Sequence, residues 1–141
     1  MIDKFATAVW AGGLKDGAGT LDSQSGALSG LPYSFATRFE GKTGSNPEEL
    51  IGAAHAGCYA MFLSGLMGGA QIVPERIEAR STISLDPTTE GGPTVRRAHL
   101  TVTIKADAPA ETLQDLAEKA KAGCPISKLL KAEVTMEVKT G

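Results

Sequence analysis

At 141 residues, with 16 acidic against 14 basic side chains and a formal charge of -2, the chain has the length of one domain with a real core. Its basic residues are scattered, which excludes an electrostatic footprint for nucleic acid. Two cysteines are too few for a disulfide framework, and the start lacks the charged and apolar pattern of a secretory signal. The expectation is a cytoplasmic protein whose thiols are inert, metal-binding or catalytic.

The opening, Met1 to Phe39, reads as β-rich. Phe5, Thr7 and Val9 alternate with Ala6, Ala8 and Trp10, the period of a half-buried strand. Gly17 to Leu21 and Tyr33 to Phe39 are further strand candidates between Ser/Gly-rich turns, and Arg38 closes the last of them. Gly41 and Gly44 then turn the chain into a helix, NPEELIGAAHAGCYAMFLSGLM, from Asn46 to Met67. Asn46 caps it, Pro47 suits the first helical position, and Glu49 completes a capping-box pattern. Both Glu48 and Glu49 sit where the helix dipole favours negative charge. No charged side chain follows between Leu50 and Ala70, so this helix is expected to be buried on every side. Gly52, Ala56, Ala60, Ser64 and Gly68 form a ridge small enough to admit another helix, such as that of a second copy. The run also has the length of a membrane span, but its glycines, Ser64 and His55 dilute it and no basic cluster flanks it. A core helix is the better reading.

Beyond Pro74 the period becomes two. Ile77, Ala79, Ser81, Ile83 and Leu85 share one side of a strand, Asp86 to Pro93 is a turn, and Val95 to Ala106 is a second strand. With Ala98, Leu100, Val102 and Ile104 on one side, the pair makes a hairpin with a buried face. Pro109 opens a helix, Ala110 to Ala122, with an apolar stripe of Leu113, Leu116, Ala117 and Ala120, and Gly123 ends it. After Cys124 and Pro125 come a helical turn, ISKLLK, and a last strand, Glu133 to Lys139. The fold class is α+β in a single domain, residues 1–141.

The two thiols differ in setting. Cys124, between one helix and the proline that opens the next, is placed as an N-cap, where the dipole favours thiolate. Cys58 lies mid-helix among apolar neighbours, which raise its pKa and leave it inert unless a cation reaches it. Dipole logic favours Cys124 as the reactive thiol, and spacing alone does not decide between them. His55 shares a helical face with Cys58, and its expected role is structural or supporting. A zinc site from Cys58, Cys124, His55 and His99 would need spacing unlike paired-ligand motifs. Glu48 lies well around the helix from Cys58 and reaches its surroundings only through an intermediary such as an arginine. Taken alone, Arg38 reads as a solvated charge.

The runs TRFEGKTGSNPEELIGAAHAGC and KAKAGCPISKLLKAE closely resemble the OsmC branch of the OsmC/Ohr family, the osmotically inducible and organic hydroperoxide resistance proteins. The resemblance covers essentially the whole chain. It implies antiparallel sheets wrapped around central buried helices in an intertwined homodimer, with active sites at the interface. It implies a cysteine-based peroxidase in which Cys58 is the peroxidatic thiol and Cys124 the resolving thiol. Arg38 would activate Cys58, and Glu48, rather than Glu49, would orient Arg38. Gly57 and Tyr59, beside the nucleophile, are local variations. An apolar pocket around Ala54, Met61 and Phe62 would favour organic hydroperoxides over hydrogen peroxide, with recycling by a lipoyl-type dithiol. Neither metal nor organic cofactor is called for, and neither nucleic acid nor membrane is an expected partner. The alternative is a non-enzymatic protein of the same fold whose thiols sense oxidation or are structural.

Overall fold

Glycine turns and short alternating runs shape the first fifty residues, and a continuous apolar pattern shapes the rest. The computed structural model describes residues 1–141, in two units, Met1–Leu50 and Ile51–Gly141. In the first, β1 (Ala6–Ala11), β2 (Ala18–Ser23) and β3 (Leu31–Tyr33) form an antiparallel sheet in that order. Gly19 stands opposite both Trp10 and Tyr33, whose rings lie 5.5 Å apart between centroids. A Cβ there would come within 2.5 Å of the Tyr33 ring, so the two aromatics close over a position only glycine can fill.

Two expectations for this unit are corrected. β1 is exposed along its whole length, because no second apolar layer covers its alternating side chains. The run from Tyr33 to Phe39 is not a strand. Only Tyr33 belongs to β3, and Phe35–Phe39 forms a short helix, α1. The cause is a capping box: Ser34 Oγ accepts from the Thr37 amide at 3.3 Å, and Thr37 Oγ1 accepts from the Ser34 amide at 2.9 Å. Arg38 therefore sits in the last turn of α1.

Helix α2 (Pro47–Gly69) begins as its sequence dictates, with Asn46 Oδ1 accepting from the Glu49 amide at 2.8 Å and its side-chain amide donating to the Glu49 carboxylate. Its burial differs from expectation. Only the ridge Gly52, His55, Tyr59, Leu63 and Met67 is buried, while Ala54, Gly57, Met61, Ser64 and Gly68 are exposed. One chain supplies a single covering layer to this helix, so its second apolar face is left in solvent. The small ridge from Gly52 to Gly68 is split accordingly: Gly52 lies inward, where a Cβ would stand 2.9 Å from the Ser81 carbonyl oxygen of the neighbouring strand.

That covering layer is a sheet in the order β4 (Arg76–Asp86), β5 (Thr94–Lys105), β6 (Glu133–Thr140), with α3 (Ala110–Gly123) and α4 (Pro125–Leu129) between β5 and β6. β4 and β5 are antiparallel as the hairpin pattern requires. β6 departs from the antiparallel expectation and runs parallel to β5, because the crossover through α3 and α4 returns the chain to the end where β5 began. Tyr59, Leu63 and Met67 of α2 share one core with Leu100, Val102 and Ile104 of β5, the α3 stripe, and Cys124. Burying such a set stabilises each large side chain by about 1.5–3 kcal/mol.

Candidate active site

Cys58 sits in the middle of α2, one turn after His55 and one before Phe62. Cys124 closes α3 and opens α4 at once. Its amide donates to the Ala120 carbonyl at 2.9 Å, its carbonyl accepts from the Lys128 amide at 3.1 Å, and its side chain is fully buried. These local bonds hold the two sulfurs, remote in sequence, 3.0 Å apart with both thiols free. The residue before Cys124 must be small for the same reason: a Cβ on Gly123 would meet the Phe62 ring at 2.8 Å.

The pair is electrostatically lopsided. Burial pushes the Cys58 thiol up, the hydrogen bond shared with Cys124 adds to this, and the Ile126 amide offsets only part. Burial acts upward on Cys124 too, but the hydrogen bond shared with Cys58, the amides of Ser127 and Ile126, and the Ser127 hydroxyl together bring it below its ordinary value. No strict cap hydrogen bond closes on the Cys124 sulfur, so those amides act as nearby dipoles. Either sulfur can carry the shared proton. Because the donors gather on one side, Cys124 gives up its proton first and Cys58 keeps it.

An apolar cavity of about 350 Å³ opens on Cys58, lined by Met61, Phe62, Gly65, Leu66 and Pro125. Ala54 does not line it, contrary to expectation, since it lies a turn before Cys58, whereas the other α2 residues of the lining follow Cys58. Arg38 and Glu48 meet within the first unit. Arg38 Nε and Nη2 both donate to Glu48 Oε1, at 3.1 and 2.8 Å. The Arg38 guanidinium lies 5.2 Å from the Phe39 ring centroid and borders a cavity of about 300 Å³ lined by Trp10, Leu14, Tyr33, Phe35 and Phe39. Glu49 serves the helix cap instead.

A polar cluster beneath the thiols was not foreseen in full. His55 is completely buried, with Nδ1 2.7 Å from Ser81 Oγ and Nε2 2.9 Å from Ser127 Oγ. The available signal was a serine at inward positions of both β4 and α4, where a buried hydroxyl demands a partner. His99 stays on the outer face of β5, 2.6 Å from Thr135 Oγ1.

The sequence matches the family model described as OsmC-like protein over residues 39–139. It is 44% identical over 136 residues to the peroxiredoxin OsmC of Escherichia coli (strain K12), covering 96% of this chain and 95% of that protein. Among solved structures, the organic hydroperoxide resistance protein OhrB of Bacillus subtilis aligns with a TM-score of 0.69 at 25% identity, over 97% of this chain and 98% of that one. An organic hydroperoxide resistance protein from Elizabethkingia anophelis aligns with a TM-score of 0.78 at 23% identity, over 100% of this chain and 96% of its own.

Proposed function

The chain belongs to the OsmC-like protein family, and on that premise we propose that it is a cysteine-based peroxidase acting on organic hydroperoxides through Cys58 and Cys124. The observation that carries this reading is the 3.0 Å approach of two free thiols at the mouth of an apolar cavity. The names of the relatives, a peroxiredoxin and organic hydroperoxide resistance proteins, support the same class of reaction.

The Cys58 thiolate attacks the terminal oxygen of the hydroperoxide, the O–O bond breaks, and the alkoxide leaves as an alcohol after taking a proton. Cys58 becomes a sulfenic acid. Cys124 then attacks the Cys58 sulfur. An S–S bond forms, and the displaced hydroxide leaves as water with the proton of Cys124. A dithiol, of lipoyl type by the family resemblance, reduces the disulfide in two exchange steps and is itself oxidised to a cyclic disulfide.

The first step needs the negative charge on Cys58, whereas the second unit by itself places it on Cys124. Arg38 is the cation that reverses this preference, and Glu48 fixes its planar fork. The guanidinium also stabilises charge developing on the peroxide oxygen. The cavity lining supplies few polar partners for hydrogen peroxide and an apolar surface for an organic group.

The protein acts as a homodimer in the cytoplasm. The exposed residues Ala54, Gly57, Met61, Ser64 and Gly68 recur at alternating steps of three and four, the spacing of a helix seam. A second α2 covers that seam in the assembled protein, and the full chain functions as one domain. The test is steady-state turnover with dihydrolipoamide, comparing cumene hydroperoxide with hydrogen peroxide. Many equivalents consumed, fastest with the organic oxidant, support the reading; a single equivalent consumed, as by a sensor, contradicts it.

A further inference from the structure

Helix α2 carries a glycine that its own packing does not require, at the far end of the cavity that opens on Cys58. We propose, on the reading of Cys58 as the peroxidatic thiol, that Gly65 is a specificity-determining residue. By bringing no side chain to the cavity, it sets the length of the organic group that a hydroperoxide can lay along α2.

Helix geometry puts Gly65 in line with the thiol. It follows Cys58 by seven residues. At 100° and 1.5 Å per residue that is two turns, within about 20° of the same face and about 10 Å along the axis. Met61 and Phe62, three and four residues after Cys58, stand between them on that face. With Leu66 and Pro125 they give the cavity its apolar walls, and Gly65 is the lining position without a side chain.

Packing within the chain does not account for this glycine. A Cβ on Gly65 would meet nothing within 4 Å. Gly52 and Gly123 differ, since a Cβ there would stand 2.9 Å from the Ser81 carbonyl oxygen and 2.8 Å from the Phe62 ring. Glycine in a helix interior is less stable than alanine, because its backbone loses more freedom on folding. At Gly65 no contact offsets that loss, and what the missing side chain leaves is room in the cavity. Side chains on a helix tilt toward its N-terminus, so that of Gly65→Leu would lean back over the preceding turn, toward Cys58. A compact organic group ends beside Met61 and Phe62, whereas a straight chain of about 10 Å reaches Gly65.

The experiment uses the full chain as wild type, Gly65→Ala and Gly65→Leu, with dihydrolipoamide as reductant and either tert-butyl or straight-chain octyl hydroperoxide as oxidant. Gly65→Leu is expected to lower the ratio of kcat/KM for the octyl over the tert-butyl compound about tenfold, the scale on which an apolar pocket discriminates by size. Gly65→Ala should lower it less and raise the unfolding temperature. An unchanged ratio overturns the proposal. Equal loss with both oxidants, accompanied by loss of the dimer in analytical ultracentrifugation, also overturns it and assigns the glycine to the contact between copies. Alkylation of Cys58 in a Cys124→Ser background decides without turnover. N-octylmaleimide should react faster than N-methylmaleimide, and Gly65→Leu should remove that advantage. An advantage that survives the substitution, or that wild type lacks, overturns the proposal even if the protein consumes no peroxide.

Discussion

In the proposed mechanism, Cys58 does not become a nucleophile through its own surroundings. Burial and the bond to Cys124 both favour its thiol form, so its activation is the task assigned to Arg38. Replacing Arg38 by Ala is expected to lower the rate of Cys58 oxidation about a hundredfold, the scale of losing one preorganised charge donor. Glu48→Gln, which keeps the shape and loses the charge, should fall between that variant and wild type. Because the pair is partly solvent-exposed, either change costs under about 1 kcal/mol of stability, which thermal unfolding checks. His55 has the opposite balance, with a stability effect of defined sign. Its folded pKa is depressed by burial, so the unfolded chain binds a proton that the folded chain refuses. Its contribution is present above about pH 6.5 and lost as pH falls below that value. The unfolding temperature of wild type should drop more steeply on acidification than that of His55→Gln; equal slopes would contradict the assignment.

The elements show which parts of a sequence can be read locally. The α2 cap was legible because Asn46, Pro47 and Glu49 carry it within four residues. The β4–β5 hairpin and the α3 stripe were legible because one strict period runs through each. α1 was not. The alternation of YSFATRF mimics a strand, and the Ser34–Thr37 capping box that wins is a threonine variant of the usual pattern. The parallel pairing of β6 was hidden for another reason, since strand direction is set by the crossover and not by the strand's own residues. Packing between α2 and α3 yields a prediction of its own. Gly123→Ala is expected to displace the Phe62 ring, which lines the cavity beside Cys58, while its helix propensity keeps the stability change within about 1 kcal/mol. The expected result is a loss of about tenfold in kcat/KM for cumene hydroperoxide, with hydrogen peroxide much less affected. Equal loss for both oxidants would show that the ring does not shape the cavity.

For the molecule as a whole, the four residues singled out from sequence fall into two pairs. Arg38 and Glu48 meet in the first unit, Cys58 and Cys124 meet in the second, and α2 carries one member of each. The second pairing was beyond local reading, because it depends on how the α3–α4 junction seats Cys124 against mid-helix α2. The uncharged length of α2 was legible, but not which of its apolar faces this chain covers, since that depends on where the β4–β5–β6 sheet and α3 pack. A seam of Ala54, Gly57, Met61, Ser64 and Gly68 left in solvent predicts a dimer in analytical ultracentrifugation. Met61→Glu should weaken it, and a monomeric wild type would contradict the seam. The most direct test of the central claim is consumption of cumene hydroperoxide with dihydrolipoamide by wild type, Cys58→Ser and Cys124→Ser. Sustained turnover in wild type, none in Cys58→Ser and rapid inactivation of Cys124→Ser is the predicted result. Continued turnover by Cys58→Ser would contradict it and move the nucleophile to Cys124.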